Sequence, residues 1–388
     1  MDARAAQAIP PEPDWLSQEF LADPYPYYRA LRESSPVHYD EARGRWIVTR
    51  YHDVLRVLRD DEAFSAQQDM SASMLVSDPP DHTRLRALVS KAFTPREVRR
   101  LEPRIRAIVD DLLDAAAAGD GMDVIAQFAY PLPITVIAEL LGVDPEERDF
   151  FRDASQKIAV AMGPIADRGV AQQADVGRGQ LSAYFNELIE RRRAAPRDDL
   201  VSALIRAEDQ GTSLTHRELL AMLLLLLIGG HETTVNLIAN GLLALLRHRD
   251  QYELMATTPG IEHEAVEELL RYDAPVQYTG RVAKADTEIG SVRIRKGDHV
   301  RVILAAANRD PAAFDRPDEL DLRRDPCPHV SFGVGIHYCL GGPLARLEGE
   351  IAIAALVRRF PAMRLDEERL RWRPAAVLRG LETLNVTF

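Results

Sequence analysis

The 388-residue chain contains few cysteines, namely Cys327 and Cys339. Two cysteines cannot build the disulfide framework of a small secreted domain, and such scarcity fits a reducing compartment. The formal net charge is −12, so nucleic-acid binding has no global electrostatic support. We therefore expect a cytoplasmic protein that does not bind nucleic acid.

The sequence also lacks an apolar run long enough to span a membrane. The longest run covers 219–230, whereas a spanning helix needs about 20 apolar residues. Residues 1–14 are rich in alanine, proline and charge, which is typical of neither a signal peptide nor an anchor. The pattern predicts a helix buried inside a large protein, and no association with a membrane.

Aromatic residues are sparse, at 6% of the chain, while hydrophobic residues reach 46%. Abundant alanine, leucine and arginine favour helix. Thr94 and Thr215 each precede a glutamate by three residues, a capping pattern that predicts two helix starts. The second of these helices extends to about residue 247. We therefore expect a mainly α fold with a small β region.

The β region is predicted in two places. Segments 37–39 and 46–49 flank a turn-rich stretch and predict a hairpin between helices at 26–34 and 51–59. After residue 272, short segments rich in valine and isoleucine alternate with glycine and aspartate turns, which predicts strands such as 292–294 and 299–304. A final helix is expected at 344–360.

The strongest chemical signal surrounds Cys339. Segment 332–341 reads FGVGIHYCLG, with three glycines close to the start of an apolar helix. Unpaired N–H groups at a helix start stabilise a thiolate and lower its pKa, and the thiolate is the form that binds metal. Cys327 has no such context, so we interpret it as an ordinary buried residue. A disulfide between the two cysteines is the remaining structural alternative, and it would abolish metal binding.

This segment resembles the heme-binding signature of the cytochrome P450 family, Phe-Gly-x-Gly-x-His/Arg-x-Cys-x-Gly. The resemblance extends over residues 25–388 and is greatest to soluble bacterial members. It implies a single catalytic domain at 25–388 with the cytochrome P450 fold, preceded by an N-terminal extension at 1–24. It also implies heme b, iron ligation by Cys339, and cofactor contacts at Phe332, Gly335 and Gly341.

A second motif lies inside the long apolar helix. Gly229-Gly230 precede His231, Glu232 and Thr233. Each interior helical glycine costs about 1 kcal/mol relative to alanine, so the pair predicts a close approach to the backbone. A buried carboxylate also needs a partner or water. The stretch resembles the family signature Ala/Gly-Gly-x-Asp/Glu-Thr, which implies a proton relay, with Thr233 on the oxygen side and Glu232 supplying protons.

Further residues match family positions. Glu268 and Arg271 lie on one helix face, and the resemblance implies a buried structural pair. The usual third partner is an arginine, but Glu319 and Leu320 occupy that stretch, so we expect Arg323 or Arg324 instead. The positions that the resemblance implies for the heme propionates are His82, Arg86, Arg281 and His337.

Residues 82–106 contain eight lysines and arginines against two glutamates, a basic helix in an acidic chain. In the family this helix borders the cysteine side of the heme, so we expect an acidic ferredoxin-type donor to dock there. No glycine-rich dinucleotide fingerprint follows the cysteine segment. The electrons are therefore expected from a separate reductase through that donor.

The resemblance implies a monooxygenase that uses O2, two electrons and two protons to hydroxylate or epoxidise a lipophilic small molecule, as in specialised metabolism. Phenol coupling or desaturation on the same scaffold, and a heme-based sensor without turnover, remain open alternatives. The mostly apolar residues expected to line the substrate pocket are Met74, Leu225, Gly229, Val276 and Gln277.

Overall fold

The computed structural model describes residues 10–67, 73–143, 147–162, 168–209 and 214–388. Over these ranges the chain is mainly α-helical with a small β region, as the sequence predicts. The α-helices are α1 Gln18–Ala22, α2 Tyr25–Ser34, α3 Tyr51–Arg59, α4 Asp81–Ser90, α5 Pro95–Ala116, α6 Pro131–Leu141, α7 Arg148–Val160, α8 Arg168–Ala194, α9 Leu200–Asp209, α10 His216–Arg247, α11 Arg249–Thr257, α12 Glu262–Tyr272, α13 Leu304–Ala307 and α14 Gly342–Arg359.

The strands are short, and the largest sheet among the described residues has five of them in the order β1-β2-β8-β5-β3. Strands β1 and β2 form the predicted antiparallel hairpin, and β8 pairs with β2 in parallel. The strands are β1 Val37–Asp40, β2 Arg45–Val48, β3 Phe64–Ser65, β4 Gly121–Asp123, β5 Tyr278–Ala283, β6 Thr287–Ile289, β7 Val292–Ile294, β8 His299–Ile303, β9 Arg364–Leu365, β10 Arg371–Trp372, β11 Leu381–Thr383 and β12 Asn385–Thr387.

Helix α10 runs through the interior of the protein. Its start is fixed by the predicted capping box, in which the Thr215 hydroxyl accepts from the Glu218 N–H and the Glu218 carboxylate accepts from the Thr215 N–H. Among the described residues it is the one helix long and apolar enough to cross a membrane, but 67% of its most apolar window is buried by the rest of the chain. That burial is typical of a core helix.

Helices α10, α12 and α14 pack closely because small residues lie where they meet. A β-carbon added at Gly241 would lie 3.2 Å from side-chain atoms of Ile353 and Leu269, and one at Gly349 would lie 3.0 Å from Leu237. These contacts join the middle of α14 to the second half of α10, and the paired positions advance in the same direction along both helices. The Cys339 loop, which precedes α14, and the motif at 229–233 therefore lie on the same side of this contact.

The N-terminal segment packs against the far end of the chain. Trp15 is 3% exposed, and the Gln18 side chain both donates to and accepts from the backbone of Trp372. The Arg379 guanidinium donates to the carbonyls of Leu21 and Ala22 and pairs with Asp273. Residues 15–22 are therefore part of the folded body, while a domain boundary at residue 24 stays a prediction.

Candidate active site

The segment that carries Cys339 is a tight loop before α14. Gly333 and Gly335 have φ angles of +67° and +74°, a region that favours glycine. A β-carbon on Gly335 would also lie 2.7 Å from the carbonyl oxygen of Leu58. The Cys339 N–H donates to the Phe332 carbonyl at 2.9 Å. Two of the three glycines are thus required by the turn itself.

Both cysteines are free thiols, so the disulfide alternative is wrong. Burial raises the pKa of the Cys339 thiol, although the N–H groups of Gly341 and Gly342 and the charge of Arg86 act in the opposite direction. The expected lowering of this pKa is therefore wrong for the polypeptide by itself, because burial outweighs the helix start. A bound metal cation deprotonates a coordinating thiol outright, so the loop still suits a metal.

Cys327 lies away from that loop, as its plain sequence context predicts. Its sulfur is 3.6 Å from the carbonyl oxygen of Glu267. Burial, followed by the charge of Glu268, raises the pKa of this thiol to about 12. Cys327 is therefore a thiol that stays protonated at neutral pH, and it is half-buried rather than buried as we expected.

The four residues predicted for the propionates come together next to the Cys339 loop. The rings of His82 and His337 have centroids 4.2 Å apart. Burial, followed by the charge of Arg281, lowers the pKa of His337 to about 3, and burial followed by the charge of Arg86 lowers that of His82. Arg281 and Arg86 make hydrogen bonds to backbone carbonyls, those of Gly280 and Tyr338.

This cluster fits an anionic ligand. His82 is 3% exposed and Arg281 is 7% exposed. Among the described residues, nothing bonds the buried Nδ1 of His82 or the buried Nε2 of His337. Buried polar atoms without partners are costly, and two arginines beside them add positive charge. The arrangement is suited to bind two carboxylates, and a heme has two of them, its propionates.

The residues of the α10 motif lie on two different faces of the helix. Gly229 has open space where a side chain would be, whereas a β-carbon on Gly230 would lie 2.7 Å from Ile137. The open space at Gly229 leaves room for a ligand to approach the backbone, whereas the neighbour that comes close at Gly230 is Ile137 of α6. Thr233 is half-buried and its hydroxyl donates to the Gly229 carbonyl at 3.0 Å. Its oxygen thus lies on the open side of the helix.

Glu232 is 2% exposed and pairs with a residue that the sequence does not point to. Arg373 Nη1 lies 2.8 Å from Glu232 Oε2, and His231 Nε2 lies 3.4 Å from Oε1. Burial alone would raise the pKa of Glu232, but the hydrogen bond from His231 and the charge of Arg373 lower it to about 2. The carboxylate is therefore ionised.

Glu268 and Arg271 form the predicted pair, with both side chains fully buried and Nε–Oε2 at 2.6 Å. Arg271 also donates to the carbonyls of Asn308, Pro317 and Glu319. The third partner is Arg324, whose Nε lies 3.0 Å from Glu268 Oε2. The departure at Glu319 and Leu320 is therefore compensated by one of the two arginines that we expected.

Comparison with known proteins decides the family. A family model described as Cytochrome P450 matches residues 162–256 and 263–374. The chain belongs to the cytochrome P450 family. It is 43% identical over 392 residues to the cytochrome P450 monooxygenase PikC of Streptomyces venezuelae, covering 96% of this chain and 92% of that one.

Solved cytochrome P450 structures share the fold. The structure of CYP109E1 from Bacillus megaterium in complex with testosterone has a TM-score of 0.91 and 35% identity, covering 96% of this chain and 99% of that one. P450BioI in complex with an acyl carrier protein ligated to hexadec-9Z-enoic acid has a TM-score of 0.91 and 40% identity, with coverages of 96% and 100%. Cytochrome P450s are heme-iron monooxygenases, so this chain is an oxidoreductase.

The residues expected to line the substrate pocket of this cytochrome P450 differ in exposure. Leu225 and Val276 are half-buried and Gly229 is open, whereas Met74 is 7% exposed. Gln277 is 3% exposed, and its amide donates to the Ala274 carbonyl at 2.7 Å. The glutamine therefore has a partner within its own turn.

Sequence reasoning missed the surroundings of Glu232 in this cytochrome P450. Arg373 is 141 positions away along the chain, and Ser155, which contacts His231, is 76 positions away. A buried glutamate signals that a cation is needed, but nothing in the sequence says which arginine meets it.

Proposed function

We propose that this cytochrome P450 is a heme-thiolate monooxygenase that hydroxylates or epoxidises a lipophilic small molecule. One observation carries the proposal: a cysteine loop at the start of α14 lies beside a buried cluster of histidines and arginines with unpartnered nitrogens. A metal ligand and a site for two carboxylates in one place suit heme b. The proposed location is the cytoplasm.

The residues of the loop have separate roles in this proposal. Cys339 would bind the iron, and Phe332, Gly335 and Gly341 would contact the cofactor. His82, Arg86, Arg281 and His337 would bind the propionates. The heme, when bound, supplies the chemistry of O2 activation, which thiolate ligation favours.

Thr233 and Glu232 supply protons in this proposal. O2 activation consumes two protons in a site from which water is largely excluded. The Thr233 hydroxyl lies on the open face of α10 and orients water there, while Glu232 connects that face to a proton source. The support is the position of Thr233 beside the open space at Gly229.

Replacing Thr233 with alanine is expected to separate electron use from product formation. Without the hydroxyl, protons arrive at the wrong time and peroxide is released, so product per electron pair falls by at least about tenfold. Peroxide and product are measured against electrons consumed. Thr234→Ala, one residue along and on a different face of the helix, serves as the control. Full coupling in Thr233→Ala would contradict the assignment.

The substrate class follows from relatives and residues together. PikC is named as a monooxygenase, CYP109E1 is described with testosterone, and P450BioI with a fatty acid on a carrier protein. The residues proposed for the pocket are apolar apart from Gln277. We propose a lipophilic substrate of specialised metabolism, such as a polyketide, terpenoid, steroid or carrier-linked acyl group.

The proposed electron donor is a small acidic ferredoxin served by a separate reductase. The basic helix segment is less positive than its sequence suggests, because Arg84, Arg100, Arg104 and Arg106 pair with glutamates. Lys91, Arg96 and Arg99 are exposed, and among the described residues none of the three has an ion-pair partner. These three side chains, with Arg100, form the proposed docking surface.

Reversing Arg99 and Arg100 to glutamate is expected to slow reduction by a ferredoxin about tenfold at low ionic strength, because steering raises association rates by 10 to 10³. Stopped-flow reduction measures the rate, and the difference should shrink as salt is added. The matched control reverses Arg178 and Arg191, which are exposed on α8. Equal rates in both double variants would exclude this docking surface.

The proposed function is tested by the absorption spectrum of the purified protein, reduced with dithionite under carbon monoxide. A strongly red-shifted Soret band, typical of a thiolate-ligated ferrous heme, supports ligation by Cys339. A band at the position typical of histidine ligation, or failure to retain heme, would overturn the proposal.

A further inference from the structure

A cavity of about 410 Å³ with a mixed polar and apolar lining lies beside Glu232, between α7, α10 and the segment around β11. The polar part of its wall contains Tyr130, Arg152, Gln156, Arg373 and Glu382, and Glu232 also lines it. A cavity of this size with several polar groups in its wall accommodates several water molecules. The cavity therefore gives a deeply buried carboxylate a route to solvent protons.

Arg373 clamps that carboxylate from the cavity side. One guanidinium nitrogen bonds Glu232 at 2.8 Å, and another bonds the Asn236 amide oxygen. Asn236 lies one turn after Glu232, on the same face of α10. Room for this fork depends on Gly380, where a β-carbon would overlap the Asn236 side chain. The glycine at position 380 thus leaves the space in which Arg373 can bond both Glu232 and Asn236.

His231 is the second side chain in contact with this carboxylate, and its Nε2 lies 3.4 Å from Glu232 Oε1. The ring is held in place at both nitrogens: Nδ1 lies 2.7 Å from the Leu227 carbonyl, and Nε2 lies 3.0 Å from the Ser155 hydroxyl. Arg373 and His231 therefore contact Glu232 from two sides.

A carboxylate paired with an arginine and accepting a second hydrogen bond holds a proton poorly, and the pKa of Glu232 near 2 agrees with this. At neutral pH such a group passes protons inefficiently, since a good proton carrier has a pKa near the working pH. The other charged or titratable groups that line the cavity are Arg152, Tyr130 and Glu382. Separation from Arg373 is therefore needed before Glu232 can serve a relay.

We propose that Arg373 gates proton supply to the active site: while it is paired, Glu232 stays a carboxylate, and Glu232 takes up a proton from cavity water only when the pair opens. Arg373 is a positioning residue here, since it acts through Glu232. The inference rests on the proposed function, because it assumes that protons consumed in turnover pass through Glu232.

The test is pH-difference infrared spectroscopy of the resting ferric protein, which requires no turnover. In Arg373→Gln the glutamine retains hydrogen bonding but the charge is lost, so burial dominates and Glu232 is expected to titrate at or above about pH 5. A carboxyl C=O band sensitive to D2O should appear there, be absent from wild type, and vanish in the double variant with Glu232→Gln. Arg373→Lys should restore the wild-type spectrum.

A structural role predicts a different result. If Arg373 merely anchors the C-terminal segment, Arg373→Gln lowers the melting temperature and produces no new carboxyl band, which overturns the proposal. Arg371→Gln, an exposed neighbour, is the control for changes in β10. Should Arg373→Gln fail to fold, Asn236→Ala loosens the same fork, and a spectrum identical to wild type would count against the gate.

Turnover gives a second readout. A gate left open by Arg373→Gln should reduce the solvent deuterium isotope effect on O2 consumption, and an unchanged effect would contradict gating. Failure of the proposed function is separate, because it appears as a missing red-shifted band under carbon monoxide. A protein with a normal carbon monoxide spectrum and no Glu232 band refutes the gate alone.

Discussion

Replacing Cys339 with serine is expected to reduce monooxygenase activity to background. The serine hydroxyl is not ionised at neutral pH and does not supply the electron density of a thiolate. Because the loop and the histidine–arginine cluster are unchanged, some heme should still bind. The red-shifted band of the carbon monoxide complex should be absent, and product formation should be undetectable by chromatography.

The matched control is Cys327→Ser. This thiol is half-buried near the carbonyl of Glu267 and lies outside the Cys339 loop. Its replacement should leave the carbon monoxide spectrum and turnover as in wild type. If Cys339→Ser retained the red-shifted band, the iron ligand would be a different residue and the proposed site would be wrong.

Replacing Arg271 with methionine is expected to cost about 3–5 kcal/mol in the free energy of unfolding, the range for removing one partner of a buried ion pair. The loss removes a donor from three carbonyls, those of Asn308, Pro317 and Glu319, of which Glu319 keeps only a 3.4 Å hydrogen bond from Arg324. Glu268 retains one cation, Arg324. Chemical denaturation followed by circular dichroism measures the change.

An exposed pair provides the comparison for Arg271. Arg106 and Glu102 lie 2.8 Å apart, with side chains 58% and 38% exposed. Arg106→Met should change the free energy of unfolding by less than about 1 kcal/mol, because solvent screens such pairs. An equal decrease in the free energy of unfolding in the two variants would show that burial does not determine how much the Glu268–Arg271 pair stabilises the protein.

The elements that the sequence predicted well are those with local signals. The threonine–glutamate pattern at Thr215 gave the start of α10 correctly, because a capping box forms within four residues. The hairpin of β1 and β2 followed from a turn between two apolar segments. A short motif is visible when every residue it needs is nearby in the chain.

Contacts between distant residues could not be predicted in the same way. Strand β12 pairs with β4 over three residues, too few for alternation to appear in either segment. The five residues Ile125–Ala129 form a π-helix, and neither a capping residue nor a hydrophobic periodicity in the sequence predicts it. The partner of Glu232 was missed for the same reason, since only the folded chain brings Arg373 to it.

The candidate site shows the same division. The motif at Glu268 and Arg271 correctly predicted a buried ion pair, but burial reversed the expected pKa change at Cys339. Burial depends on everything that packs around a group, so a helix start alone does not determine the ionisation of a thiol. Local sequence predicts which functional side chains are present, and the packing around them determines whether they are ionised.

The bonds from Arg379 to the carbonyls of Leu21 and Ala22 have a consequence for synthesis on the ribosome. These partners are separated by more than 350 positions, so the ribosome must add all of those residues before α1 can form these bonds. Arg373, which pairs with Glu232, is also synthesised after α14. Ribosomal stalling directly after α14 would therefore yield a chain that has the cysteine loop but lacks the arginine that holds Glu232.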